Sequence, residues 1–467
     1  MIFFKKHLLI VSLATFVFSC AQEPQELTIE QRAQEIVDQV QLPVIPNREV
    51  SVVDYGAIAD GKSDNTEVFK MAIAELSNLG GGKLVVPKGQ YLTGPIHLKS
   101  HIELHLSEGS EILFKTDPEA YMPMVKTSYE GIELYNFSPL IYAYQAENIA
   151  VTGTGILNGQ AGTSHWWPWA GKEVYGYKEG DVNQNDEQNL PRLRSMNKNQ
   201  TPVEERRFGL GYQVRPSFFE PYESTRILLK DVTIKNAPFW IVHPFKSSHF
   251  TMDGVTVQSH GPNNDGCDPE YTNFVHINNC VFDTGDDCIA IKSGRNEDGR
   301  RNKILSQNIL VQNSTMKDGH GGVVMGSEIS AGVKNVVVLN CDMDSPNLDR
   351  AIRLKSNTIR GGGVDGLYVK NIRIGQVKEA VLRVNTHYGI YQVEEGGFFP
   401  DFKNIYLEDI HAKNGGKYGV LIQGREELPV SGLHFKNVTI ENTKKDPVFE
   451  FAGEVEFVNT TINSKSY

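Results

Sequence analysis

The chain has 467 residues, of which 40% are hydrophobic, 22% are charged and 43 are glycine. That length and balance suit a large packed core and exclude a disordered or fibrous chain. The formal net charge of −11 argues against nucleic acid as a partner, although a local basic cluster can still hold an anion.

The N-terminal stretch "MIFFKKHLLIVSLATFVFSCAQEPQE" opens with Lys5 and Lys6 and continues with an apolar run from Leu8 to Phe18. The run is too short for an ordinary membrane span, so residues 1–19 read as an export signal. "VFSC" resembles a bacterial lipobox, which implies cleavage before Cys20, lipidation of Cys20 and a cell-envelope lipoprotein, periplasmic or on the outer-membrane surface. Phe18 departs from the small residue usual there, and the alternative is a plain signal peptide with a cysteine nearby. No later segment is long and apolar enough to span a membrane, so the lipid would be the sole attachment. Residues 20–48 read as a tether and a short helix through "TIEQRAQEIVDQV", opened by the capping-box spacing of Thr28 and Gln31. A parallel β-helix domain is expected over residues 49–467.

A second helix is predicted from about Asp64 to Leu79. Val68, Phe69, Ala72, Ile73 and Leu76 form its apolar stripe, and Gly80 is a suitable stop. Such a helix can cap one end of a solenoid. Residues 158–219 carry no repeat unit. They hold Trp166, Trp167 and Trp169 with Tyr175, Tyr177, Arg206, Arg207 and Arg215. Clustered aromatics argue for order. Two readings stand: aromatic faces and arginines that meet sugar rings and carboxylates, or a lid over one flank.

An eight-residue pattern recurs downstream: apolar, any, apolar, any, Asn or Asp, small or branched, any, apolar. It is "ILLKDVTI" from Ile227, "VHINNCVF" from Val275, "ILVQNSTM" from Ile309 and "VVVLNCDM" from Val336. It returns as "LYVKNIRI" from Leu367, "IYLEDIHA" from Ile405 and "LHFKNVTI" from Leu433, and with small changes from Phe250 and Val455. The alternation gives each unit one buried face, and a unit too short to form a core must stack on its neighbours. The fifth position is Asn at 279, 313, 340, 371, 437 and 459 and Asp at 231 and 409, which suits hydrogen-bonded ladders between coils. The fold class predicted is all-β: a single-stranded right-handed parallel β-helix with an N-terminal capping helix. A β-sandwich does not keep one polar position in register. Beyond Cys20, four cysteines remain, Cys267, Cys280, Cys288 and Cys341, with no metal-binding spacing. Cys280 and Cys341 share a slot two coils apart, about twice the 4.8 Å coil spacing, so buried free thiols are expected.

Four short segments come after successive units at one phase: "NND" from Asn263, "GDD" from Gly285, "GHG" from Gly319 and "RLK" from Arg353. Equal phase in a solenoid means equal face, so Asp265, Asp286, Asp287, His320, Arg353 and Lys355 should line one groove. Taken singly each signal is bland: an Asp-Asp turn is commonly a solvated corner. Together, the carboxylates should repel and raise the proton affinity of one, giving an acid beside a base, which glycosidic cleavage needs. Gly285 is read as a residue freeing the backbone just before the pair.

These four motifs, in order and spacing, with "DYGAIADGKSDNTEVFKMAI" upstream, resemble the polygalacturonases of glycoside hydrolase family 28, bacterial exo-acting type, over roughly residues 50–465. The resemblance implies inverting hydrolysis of α-1,4-galacturonosyl linkages in pectin, without cofactor or metal, by a monomer whose only partner is the pectic substrate. It implies Asp286 as general acid, Asp265 and Asp287 activating the water, His320 tuning Asp286, and Arg353 and Lys355 binding a substrate carboxylate. Asn263 would support the site or contact sugar. Lys292 is a weaker binding candidate, equally readable as a solvated lysine. Asn264 stands where Thr is usual and Leu354 where Ile is usual. The Trp-rich insertion and "NTHYGIYQVEEGGFFPDF" from Asn385 are candidates to close one end of the groove, as in exo-acting members. Alternatives are a rhamnogalacturonan or xylogalacturonan hydrolase, a pectate lyase and a non-catalytic pectin-binding solenoid. Hydrolysis should persist in excess chelator with no new ultraviolet absorbance; calcium-dependent formation of an unsaturated product would identify a lyase instead.

Overall fold

The structure, a computed structural model, describes Ile2, residues 27–389 and residues 396–467. Cys20 and the rest of the leader lie outside the described residues. Among those described, no helix is long and apolar enough to cross a membrane.

The repeat units stack with their first residues in register. Ile227 pairs with Phe250, Phe250 with Val275, Val275 with Ile309 and Ile309 with Val336. The column continues through Leu367, Ile405, Leu433 and Val455. Every one of these pairings is parallel, so the chain is a parallel β-helix, whose connections take the right-handed course usual for parallel strands. Alternation then fixes the core. Val275, Ile277, Ile309, Val311, Val336 and Val338 are fully buried, each worth ~1.5–3 kcal/mol of apolar burial. Earlier coils join the same stack through Leu84, Leu104 and Ile149, although their sequences lack the repeat's polar position.

The Asn slot has a stronger cause than the expected ladder. Asn279, Asn313, Asn340, Asn371, Asn437, Asn459, Asp231 and Asp409 all have φ between 49 and 61°. The chain bends there, between two strands in most coils and within one long strand at Asn371, Asp409 and Asn437, and Asn and Asp enter the left-handed region at less cost than other side chains. The amide ladder is partial: Asn371 donates to Asn340 at 2.6 Å and Asn437 to Asp409 at 2.9 Å, whereas Asn313 bonds Asn278 rather than Asn279. A second left-handed column passes through Asn308 and Asn335.

A third ladder runs Ile289–Val323–Ile352–Leu382–Val420 and continues upstream through single bridges from Ile289 to Cys267 and Val242. The four described cysteines are free and buried, as expected.

Two helices precede the coils. α1 (Ile29–Gln39) begins with the Thr28–Gln31 capping box, but it lies along the outside of the stack, packing Ile29, Ala33 and Ile36 on Leu310, Val337 and Leu339. α2 (Thr66–Asn78) buries Phe69, Ala72, Ile73 and Leu76 and closes the N-terminal end of the main core. The insertion over 158–219 contains α3 (Leu190–Lys198), and α4 (Asn296–Asn302) comes just after the coil that carries the acid pair.

Replacing Asn340 by Ala should destabilise the protein by ~1–2 kcal/mol, because alanine pays the left-handed penalty. Asn340→Gly should lose less, since glycine accepts that backbone angle. Urea unfolding of both variants checks the order.

Candidate active site

The site forms where each coil enters the third ladder. Asp265 precedes Cys267 by two residues and Asp287 precedes Ile289 by two, and Cys267 is bridged to Ile289. The two carboxylates therefore stand in equivalent places on adjacent coils, held by the Gly266 N–H donating to the Asp287 carbonyl at 3.0 Å. Asp286 sits one residue earlier in the turn, its carbonyl accepting from the Thr284 hydroxyl at 2.9 Å. Gly285 is required for a reason other than the one expected. A Cβ there would lie 2.4 Å from the Gly261 carbonyl oxygen, so close approach of the neighbouring coil excludes a side chain.

Oxygens of Asp265, Asp286 and Asp287 lie within 4.8 Å of one another. Cations compensate them. Lys355 Nζ is 2.6 Å from Asp287 Oδ2, and Arg353 is 3.6 Å from Oδ1. Tyr388 lies over both cations, with ring-centroid distances of 5.4 and 5.2 Å. Lys292 is buried, not solvated: its Nζ lies 3.4 Å from Asp265, 3.6 Å from Asp268 and 3.4 Å from Glu328, and 4.5 Å from the Trp240 ring centre. The three carboxylates are close enough to hold a cation, but a divalent ion would have to displace the ammonium groups already against them.

His320 Nδ1 meets Asp286 Oδ1 at 2.9 Å. Burial works to protonate Asp286, but the bond to His320 and the charges of Lys355 and Lys292 outweigh it and hold the carboxyl well below its usual range. The same bond raises His320 above the ordinary histidine value. Burial, followed by the Asp286 charge, pushes Asp265 up to about 7. Repulsion does raise one proton affinity, as read from the sequence. In the empty site the raised group is Asp265, not the expected acid Asp286.

Two spaces adjoin at the bonded pair of Asp286 and His320. One is a pocket of about 180 Å³ whose far wall is Glu130, Arg194, Arg295, Glu328 and Arg360. Glu130 is the turn of a hairpin (Val125–Tyr129 with Ile132–Asn136), Arg194 comes from α3, and Arg295 immediately precedes α4. They interlock: Arg194–Glu130 at 3.1 Å, Arg295 on Glu130, and Arg360–Glu328 at 3.1 Å. The other space is a cleft lined by Tyr175, His260, Asp318, His320 and Lys378, with His260 and His320 half exposed.

The insertion packs on the flank of the stack and reaches both spaces, with Arg194 in the pocket and Tyr175 in the cleft. Trp166 is buried against Tyr121 and Trp169, with centroids 5.5 and 4.9 Å apart. Arg206 makes a fully buried pair with Asp298 at 2.6 Å, and Arg215 donates to the Pro238 and Pro262 carbonyls. Arg215 also donates to Asn263 Oδ1 at 2.8 Å, so Asn263 lines the pocket under structural restraint. Asn264 caps its own turn, accepting from Ser259 and the Gly261 N–H. Of the second candidate segment, Tyr388 reaches the site, while residues 390–395 lie outside the described residues. Sequence reasoning missed Asp268, Glu328, Trp240 and the wall residues. Asp268 carried a signal, since a charged residue beside the buried Cys267 must face out with the ladder's polar side.

The family model described as glycosyl hydrolases family 28 matches residues 206–452. A probable polygalacturonase of Vitis vinifera is 28% identical over 409 residues, 85% of this chain and 74% of that protein. An exo-poly-alpha-D-galacturonosidase of Dickeya chrysanthemi is 27% identical over 443 residues, 89% of this chain and 71% of that protein. The crystal structure of a hyperthermoactive exopolygalacturonase from Thermotoga maritima is 43% identical, with a TM-score of 0.87 and coverage of 93% of this chain and 97% of that one.

Beside the pocket, His243 is fully buried between Glu220 at 3.1 Å and Glu270 at 2.9 Å. Burial opposes its charge, but the two carboxylate bonds win and raise it to about 9. Its contribution to stability is therefore complete below the ordinary histidine value of ~6.5. It is lost as pH rises towards about 9. The loss should reach about 3 kcal/mol. Denaturation midpoints measured across this window should fall in the native chain and stay flatter in His243→Gln.

Proposed function

The chain belongs to glycosyl hydrolases family 28, and on that premise we propose that it hydrolyses α-1,4-galacturonosyl linkages of polygalacturonate from a chain end, with inversion. The observation that carries this reading is the division of the site. The walled pocket is lined by the three aspartates, and the cleft with half-exposed histidines adjoins it at the contact of His320 with Asp286. The terminal galacturonate enters the pocket, where Lys355, Arg360 and Arg194 offer charge-assisted bonds to its carboxylate. The rest of the polymer leaves along the cleft. At about 180 Å³ the pocket is smaller than the ~300–1,000 Å³ usual for drug-sized ligands, which suits one sugar ring.

This arrangement supports the roles implied by the motifs. Asp286 lines the pocket and bonds His320, which lines the cleft, so the pair stands where the departing oxygen would lie. His320, 2.9 Å from Asp286 and raised above the ordinary histidine value by that bond, is the group placed to hold the proton that Asp286 must give. Arrival of an anionic substrate, and loss of water, raise the proton affinity of Asp286 and draw that proton across. Asp286 then protonates the leaving oxygen. Asp265 and Asp287 take a proton from water on the pocket side and favour the positive charge growing on the sugar. The spacing of the closest oxygens, within 4.8 Å, is shorter than the ~6.5–9.5 Å between carboxyl groups usual for inversion. Inversion therefore requires the water to be gripped by the Asp265–Asp287 pair from one side rather than seated between acid and base.

On defined oligogalacturonides the enzyme should release monogalacturonate from the start, with slow loss of viscosity on the polymer. Proton NMR should show the inverted anomer first; a retained anomer would overturn the water placement. Asp286→Asn should lose ~10²–10⁴ in kcat. Opening the wall with Arg194→Ala should yield mixed oligomers, and unchanged monomer release would sink the wall's role.

A further inference from the structure

We propose that Asp268 is a positioning residue of this hydrolase: its carboxyl remains protonated, donates to Asp265 and leaves Asp265 ionised as a base. The inference rests on the function proposed above. Asp268 is fully buried, and among the described residues neither of its oxygens has a hydrogen-bond donor. An ionised carboxylate cannot persist in that state without a large desolvation cost. A proton removes the difficulty: Lys292 Nζ, 3.4 Å from Asp265 and 3.6 Å from Asp268, draws the two carboxyls together, and a hydrogen bond to Asp265 favours the protonated form of Asp268.

The distribution of cations points the same way. Lys292 faces Asp265, Asp268 and Glu328, but Glu328 also has Arg360 at 3.1 Å and Arg295 at 3.9 Å, so Asp265 and Asp268 are the pair left to share Lys292. Glu328 is held ionised by Lys292, Arg360 and Arg295. One cation shared by two buried carboxylates leaves one proton to place, on Asp265 or Asp268. Asp287 has two cations of its own, Lys355 and Arg353. On its own strand, Asp268 is followed by Glu270, which is committed to His243. His243 occupies the position equivalent to Asp268 on the preceding coil and spends both ring nitrogens on Glu220 and Glu270. Among the described residues, Lys292 is therefore the one cation close to Asp268, and it is shared with Asp265. Burial favours a proton on either group. Placed on Asp268, it satisfies both groups at once: Asp268 gains an acceptor, and Asp265 keeps its negative charge for the attacking water.

The test compares Asp268→Asn with Asp268→Leu on trigalacturonate over the acidic pH range. Asparagine keeps a donor towards Asp265, so its profile should follow the native one, with kcat within about threefold. Leucine removes the donor, so Asp265 takes up the proton and the acidic limb moves up by at least about one pH unit. At the foot of that limb kcat should fall about tenfold with KM little changed. Equal losses at every pH in both variants, or no shift of the limb in a folded Asp268→Leu, would overturn the inference. If the leucine variant does not fold, infrared spectroscopy of native enzyme and Asp268→Asn decides instead. A buried protonated-carboxyl band present at neutral pH in the native chain and missing in Asp268→Asn supports the inference, and identical spectra overturn it. If the native enzyme cleaves no galacturonan at all, the proposed function fails, while the infrared result still reports on the Asp268 proton.

Discussion

The site depends on one constraint: each coil lies on the last in strict parallel register. The residues that flank Cys267 and Ile289 meet because those two are bridged, not because their sequences approach each other. A slip of one residue would turn every side chain to the opposite face and carry Asp268 into the core in place of Cys267. The stack resists slipping because the inward positions are filled by fully buried aliphatic residues on each successive coil. The bends reinforce it. A left-handed residue recurs at the same place in each unit, so the chain leaves and re-enters the sheets at constant angles.

Register alone would assemble an untenable cluster of negative charge. The structure meets it with cations drawn from later coils of the same face. Lys292 lies five residues beyond Asp287, and Lys355 reaches back two coils to the same carboxylate. These groups are buried, so each pair matters far more than a surface ion pair, and loss of one partner would strand the other. Arg353 and Lys355 face Asp287, not solvent.

The features readable from the sequence are those that repeat. The coil starts, the shared groove and the position of α2 were legible because each is a pattern in phase or period. The Asn slot was legible as a position, but its cause was not, since a left-handed bend and an amide ladder select the same residue. Gly285 was legible as necessary and misread in mechanism, because close approach of another coil has no local signature. The wall was illegible for a similar reason. Glu130, Arg194, Arg295 and Arg360 come from a hairpin turn, an insertion helix, a helix entry and a loop, so no common spacing joins them. The tryptophans drew attention as possible sugar platforms, yet they pack with one another and with Tyr121.

The wall also explains how one trio of aspartates can serve two patterns of attack. The carboxylates belong to the stack, whereas the closure belongs to inserted segments. An open groove over the same trio would admit the middle of a polymer. Here Arg194 and Arg295 converge on Glu130, and Arg360 ties Glu328 to the same face, so the pocket ends at ion pairs instead of solvent. Ion pairs are a suitable barrier for this substrate. A neutral wall would merely block the chain, whereas a wall rich in arginine attracts the carboxylate of the terminal sugar and stops the next residue from following it. End-directed action is then a property of the closure, and the chemistry of the aspartates need not change to produce it.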